Sequence, residues 1–187
     1  MMNAKHDLRV EGPSLVLRLV EPEDAAYLHG LRTDPRYNAH LSPVTGTVED
    51  QRAWIERYKQ REAAGEEAYF IIERRDGVPC GTVRLYDIEG TRFTWGSWIL
   101  DASKPPKAAV ESAVLSFGHG FDALDLAEAH IDVRHENSRA IAFYRRFGMT
   151  ETGTDAQNIY FTYPRCRFLA DRSAHLAILR AAVEDTP

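Results

Sequence analysis

Cysteine is scarce in this chain of 187 residues: there are two, Cys80 and Cys166, far apart and without CxxC or Cys/His spacing. That argues against a disulfide framework and a zinc site, and leaves both thiols as reduced, structural residues. Long apolar runs are missing too. A run such as Leu15 to Val20 falls far short of the roughly 20 residues that cross a bilayer. The opening segment, Met1 to Asp7, has no apolar core of the signal-peptide kind. These absences predict a cytoplasmic protein with no membrane partner. Positive charge is not in excess either: 23 Lys and Arg against 28 Asp and Glu give a net charge of -5. The chain-wide cationic footprint of nonspecific nucleic-acid binding is therefore absent. Internal repeats, low-complexity tracts and Gly/Ser/Pro-rich linkers are absent as well, so residues 1–187 are expected to form a single domain. What is present, 44% hydrophobic and 27% charged residues, is the balance of one globular domain with a sizeable interior.

Leu15, Leu17 and Leu19 alternate with polar Arg18, which predicts a half-buried strand. Glu21-Pro22-Glu23-Asp24 supplies a Pro and three acids ahead of a helix over Ala25 to Arg32, and Asp34-Pro35 stops it. Thr47 and Asp50 have the spacing of a capping pair for a second helix carrying Trp54, Ile55 and Tyr58 and ending near Gly65. The period then changes. Ala68 to Glu73, Gly81 to Ile88 and Phe93 to Leu100 read as three antiparallel strands separated by Asp76-Gly77 and Glu89-Gly90 turns. A long amphipathic helix is expected over Ala108 to Leu126, although Gly118 and Gly120 each cost about 1 kcal/mol there and suggest close packing. A buried strand (His130 to Arg134), a helix (Asn137 to Phe147, ended by Gly148), two strands (Met149 to Thr154 and Asn158 to Tyr163) and a last helix over 168–183 follow. The order predicts an α/β (α+β) fold.

Chemistry concentrates between Trp95 and Met149. The turn Asp101 to Lys107 leads from a strand into the long helix, whose first amides and positive dipole end suit a phosphate, with Lys104 and Lys107 adding charge. Further on, Asn137, Ala140, Tyr144, Phe147 and Gly148 stand at spacings that resemble the second signature of the Gcn5-related N-acetyltransferase (GNAT) superfamily. Element order extends the resemblance across residues 15–163. It is nearest to the ribosomal-protein acetyltransferase-like branch, and to acetyltransferases of surface-polysaccharide and amino-sugar gene clusters.

The resemblance implies a GNAT fold with a mixed, mostly antiparallel sheet of about seven strands, splayed at the cofactor cleft and flanked by helices. It implies acetyl-CoA as cofactor, its pantetheine arm pairing with Trp98, Ile99 and Leu100, and its pyrophosphate at the helix start among Lys104, Lys107, Ala108 and Ala109. Here the chain departs from the family. Lys104 stands where the family has Arg or Gln, Lys107 where it has Gly, and Pro105 and Pro106 remove two amides. Tyr144 matches the family's general acid, and Asn137 both caps its helix and can contact the cofactor arm. A backbone amide near Trp98 or Ile99 would stabilise the oxyanion. Many relatives carry a catalytic Glu where this chain has Thr94; Asp87 and Glu89 on the neighbouring hairpin, or His40, are the alternatives for the general base, while an acceptor of low amine pKa or a water-mediated path would need none.

The reaction implied is direct transfer of an acetyl group to a primary amine in a ternary complex. Resemblance in Trp54 to Arg61 and in Tyr86 to Leu100 favours the amine of a nucleotide-linked amino sugar, with His40, Tyr86 and Trp95 as substrate-binding residues. Protein N-terminal acetylation, in a groove between the first two helices and the last hairpin, and a noncatalytic acyl-CoA-binding module are the alternatives. No metal is expected. The last helix, with apolar Leu169, Leu176, Ile178 and Leu179, can cover the domain's own sheet or that of a second copy, which leaves a homodimer open.

Overall fold

The computed structural model describes residues 8–184, with side chains described to residue 181; Met1 to Asp7, on which the signal-peptide reading falls, lies outside the described residues. The first element is one the sequence reading missed: β1 (Arg9–Glu11), too short to show alternation, pairs with β2 (Leu15–Leu19) through Val10↔Leu17. It raises the expected seven strands to eight. A 3-10 turn over Pro22–Asp24 leads into α1 (Ala25–Thr33), which Asp34 ends as expected. The same Asp34 then accepts a hydrogen bond from the Arg36 amide and starts a one-turn helix, α2 (Pro35–Asn38), where only a stop was read. In α3 (Val48–Ala64) the predicted capping pair forms reciprocally between Thr47 and Asp50, and Gly65 closes the helix at φ 77°.

The strands β3 (Ala68–Arg74), β4 (Pro79–Glu89) and β5 (Arg92–Leu100) form the expected antiparallel meander. Next come α4 (Ala108–Gly118), β6 (Glu128–Arg134), α5 (Ser138–Phe147), β7 (Thr150–Thr154), β8 (Asn158–Pro164) and α6 (Arg165–Glu184). The long helix expected to reach Leu126 gives way after Gly118 to a π-helical turn over His119–Ala123. Gly120 explains the penalty it carries: a Cβ there would lie 2.7 Å from the Phe93 ring. Gly118 has no such reason, its nearest contact being an ordinary 3.9 Å to Phe168. The last helix also begins earlier than expected, directly after β8.

The sheet order is β1-β2-β3-β4-β5-β6-β8-β7, and every neighbouring pair is antiparallel except β5 and β6. Helices cover both faces. On one side, Leu17, Phe70, Val83, Leu85, Trp95 and Phe161 pack against α4, α5 and α6; on the other, a smaller cluster of Val20, Leu28, Ile55, Tyr58, Tyr69 and Ile71 lies under α1 and α3. Phe117 of α4 is fully buried and stacks on Trp95 at 4.9 Å, the kind of side chain whose truncation costs about 3–5 kcal/mol. Glu111, 1% exposed, accepts hydrogen bonds from the amides of Ser14 and Leu15 at 2.7 and 2.8 Å. That carboxylate ties α4 to the start of β2, so the helix start is held in place by a buried polar contact. The α6 helix covers its own domain, burying Phe168, His175 and Leu179 and leaving Leu169 and Ile178 exposed.

Candidate active site

Strands β5 and β6 run parallel for only three rungs, Arg92↔Glu128, Phe93↔Ala129 and Thr94↔His130. Past Thr94 each stays with its other neighbour: β5 with β4 through Thr82↔Ile99 and Gly81↔Leu100, β6 with β8 through Asp132↔Tyr160 and Arg134↔Asn158. The two strands part, and the facing edge of β5 from Trp95 to Leu100 is left without a β6 partner. A bulge marks the parting. Ser97 adopts φ 49°, its carbonyl accepts from Thr82 Oγ1 at 2.8 Å, and the register jumps from Arg84↔Gly96 to Thr82↔Ile99. Such an insertion bends and twists a strand, here at the mouth of the gap.

The gap is a cavity of about 300 Å³. Tyr86, Trp95, Gly96, Ser97 and Trp98 form one wall; Asp132, Val133, Arg134, Asn137 and Tyr144 form the other; His40 closes over it from the loop after α2. Tyr144 is 6% exposed and packed edge-on against Phe161 and Trp95 at 5.6 and 6.0 Å. Burial raises its phenol above the ordinary tyrosine range, and the nearby Asp132 charge adds to the shift. It therefore remains protonated at neutral pH, as a proton donor must. Asn137 accepts from the Ala140 amide at 3.2 Å as the helix cap while also lining the cavity. The capping reading holds, and the side chain borders the gap. Trp95 and Trp98 donate from their indoles to Ser116 and Ser112 of α4 at 2.9 and 3.1 Å. Trp95, 1% exposed, is thus a core residue at the base of its wall, more interior than a sugar-binding role implies.

At the outer end of β5, Lys107 caps α4 with φ 64° and ψ 9°. This left-handed conformation is the physical reason a glycine suits the position, and lysine occupies it at a cost of about 1–2 kcal/mol. Ala108, 1% exposed, points into the core, and its amide reaches the Pro105 carbonyl at 3.3 Å. The amides of Lys107, Ala109 and Val110 have no acceptor among the described residues. Lys104 and Lys107 are exposed beside them. A free strand edge leading to unsatisfied helix-start amides and two ammonium groups fits the amide arm and phosphates of a CoA.

A second cavity, about 570 Å³, opens beside the first on the α1 and α3 side and shares Arg32, Ser42, Tyr86 and Ser97 with it. Its further lining includes Asp50, Trp54, Arg57, Tyr69 and Arg84. Arg84 is paired with Glu67 and lies over the Tyr86 ring at 4.6 Å. Arg32 and Arg57 make no salt bridge among the described residues. Arg32 Nε and Tyr69 Oη are buried with no hydrogen-bond partner among the described residues. Of the carboxylates read as bases, Asp87 lies at φ 47° in a register shift of the β4–β5 hairpin, exposed and outside both cavities, as is Glu89. Sequence reasoning missed Asp132, Arg32 and Arg57. The alternation of polar His130, Asp132 and Arg134 with buried Ala129, Ile131 and Val133 was the available signal for the first.

The sequence matches the family described as Acetyltransferase (GNAT) domain over residues 14–150. The chain belongs to the GNAT acetyltransferase family. Among solved structures, one described as apo FdhC, a nucleotide-linked sugar GNAT, superposes with a TM-score of 0.84 at 38% identity, covering 90% of this chain and 97% of that one. The spermidine N(1)-acetyltransferase of Escherichia coli K12 is 28% identical over 144 residues, 75% of each chain. A spermidine N-acetyltransferase from Vibrio cholerae, solved with CoA and spermine, shares the fold at TM-score 0.73 and 17% identity, covering 84% of this chain and 99% of that one. Ribosomal-protein acetyltransferases share the fold as well. As a GNAT enzyme the protein is an acyltransferase using acetyl-CoA, and no helix among the described residues is long and apolar enough to cross a membrane.

Proposed function

We propose that this GNAT enzyme acetylates the primary amine of a nucleotide-linked amino sugar. The observation that carries the reading is the charge of the acceptor-side cavity. Three arginines, Arg32, Arg57 and Arg84, face one carboxylate, Asp50, which is already engaged by Thr47. With Arg84 held by Glu67, two guanidinium groups are left for an anionic acceptor. A diphosphate meets guanidinium donors well. A polyamine such as the spermidine named in the relatives is a multiple cation, and would meet like charge here. The rings of Trp54, Tyr69 and Tyr86 offer flat apolar surface to a base or sugar.

Acetyl-CoA supplies the activated thioester; the chain's own residues hold and protonate. The free edge of Trp98, Ile99 and Leu100 takes the amide arm, and Lys104, Lys107 and the amide of Ala109 take the phosphates. Asn137 contributes a side-chain amide. Tyr144 gives the proton that the departing sulfur needs, and His40 and Tyr86 border the acceptor. The test is release of CoA thiol with a panel of a nucleotide-linked amino sugar, spermidine and a peptide with a free N-terminus. Turnover is expected on the nucleotide-linked sugar, with KM raised by R32A and by R57A. Preference for spermidine or for the peptide overturns the reading.

A further inference from the structure

No carboxylate stands on β5 where the cleft opens, yet an attacking amine has to lose a proton. Thr94 and His130 form the last rung before β5 and β6 part. Phe93 and Trp95, like Ala129, Ile131 and Val133, belong to the core under α4. By the alternation of strands, Thr94, His130 and Asp132 face the opposite side of the sheet, that of α1 and α3. Asp132 is two residues past the last rung, the first residue of β6 on that face inside the gap. Exposed at its surface, it lines the gap between β5 and β6, the smaller cavity, with Gly96, Ser97, Tyr86 and Tyr144. It makes no hydrogen bond or salt bridge among the described residues, whereas neighbouring His130 is bonded to Glu128 at 2.8 Å and lies outside the cavity. The phenols of both Tyr86 and Tyr144 are raised in part by its charge, which agrees with a carboxylate facing them.

We propose that Asp132 is the general base of the transfer, receiving the acceptor's ammonium group and taking its proton. The amine nitrogen then attacks the thioester carbonyl carbon. The C–N bond forms and the C–S bond breaks; the sulfur receives the Tyr144 proton, and of the two protons the ammonium nitrogen loses overall, one rests on Asp132 and the other restores the Tyr144 phenol through solvent. Base and acid lie on β6 and α5, on the same wall of the gap and opposite the β5 edge. The carboxylate also sets where the amine sits: the anionic end of the acceptor goes to Arg32 and Arg57, its cationic end to Asp132. The inference rests on the amine-transfer reading above, but not on the identity of the acceptor.

The test is D132N, with D132E and D87N beside it, measured on whichever amine of the panel the wild-type enzyme acetylates. D132N is expected to lower kcat about a hundredfold, with acetyl-CoA affinity by calorimetry and Tm unchanged, and D132E to recover part of the rate. Because the missing function is deprotonation, the deficit should shrink as pH rises toward the acceptor's own pKa. It should also shrink for an acceptor whose amine is already neutral. The titratable and charged groups facing Asp132 are Tyr86 of β4, Tyr144 of α5, Tyr160 of β8, Arg134 on its own strand, and Arg32 and His40 across the cavity. Wild-type kcat in D132N, a deficit that does not respond to pH or to amine pKa, or loss in D87N instead overturns the proposal. Acetylation of spermidine by the wild type would sink the sugar reading and leave this comparison intact, whereas acetylation of no amine would sink both.

Discussion

At the scale of single residues, Tyr144 has what a thiolate acid needs: a phenol kept neutral by burial, on the wall of the gap, and engaged with no hydrogen-bond acceptor among the described residues. A positioned acid of this kind contributes about 10²- to 10⁴-fold. Y144F is therefore expected to lower kcat into that range while acetyl-CoA affinity stays at the wild-type value and Tm moves little. Thiol release and calorimetry on the same preparation check it, and undiminished kcat would remove Tyr144 from the mechanism. Tyr144 and Asn137 were legible because their spacing along α5 is local to one helix. Asp132, Arg32 and Arg57 were not, because each acquires its setting from chain remote in sequence. A carboxylate in a strand reads as a solvated face until the neighbouring strand is known to have left it.

Among elements, the α4 start shows what a departure from a family pattern does physically. Lys107 sits in the left-handed region at φ 64°, where a side chain is strained and glycine is not. K107G should relieve about 1–2 kcal/mol of strain and give back about 0.5–1 kcal/mol as added freedom of the unfolded chain. The net gain corresponds to a rise in Tm of about 2 °C for a domain of this size. The same change removes an ammonium group from beside the free amides of Ala109 and Val110, so CoA affinity should fall several-fold, less so in high salt. A variant that gained affinity would show that the backbone, and not the charge, limits phosphate binding at this loop. Elements built from local signals were legible: the Thr47/Asp50 capping box, the Gly65 and Gly148 closures, the β3–β4–β5 meander. Those that depend on neighbours were not. β1 exists because β2 offers it an edge, and the π-helical turn follows where Gly120 presses against Phe93.

For the whole molecule, the cleft is a property of sheet order: one parallel pair in an otherwise antiparallel sheet, with each strand of that pair committed to its outer neighbour. Periodicity predicts the strands and cannot say which rungs they share, so the splay entered through the resemblance alone. The same interdependence binds α6 to the rest. His175 of α6 is 6% exposed, stacks on Phe147 of α5 at 3.9 Å and meets the Tyr163 hydroxyl of β8 at 3.4 Å. Burial lowers its pKa below the ordinary histidine value, against a smaller opposing pull from Asp171, and burial does the same to His119 beneath Phe70. Both imidazoles are neutral in the fold and free to protonate in the unfolded chain. With the folded pKa depressed, the unfolded state binds more protons as pH falls below about 6.5, so stability present at pH 7 declines toward pH 5. A Tm series over that interval should fall with pH. H175Q, which keeps a polar side chain but cannot titrate there, should start lower and fall less steeply. A slope in H175Q equal to that of the wild type would place the acid sensitivity elsewhere and leave the α5–α6 contact a packing feature alone.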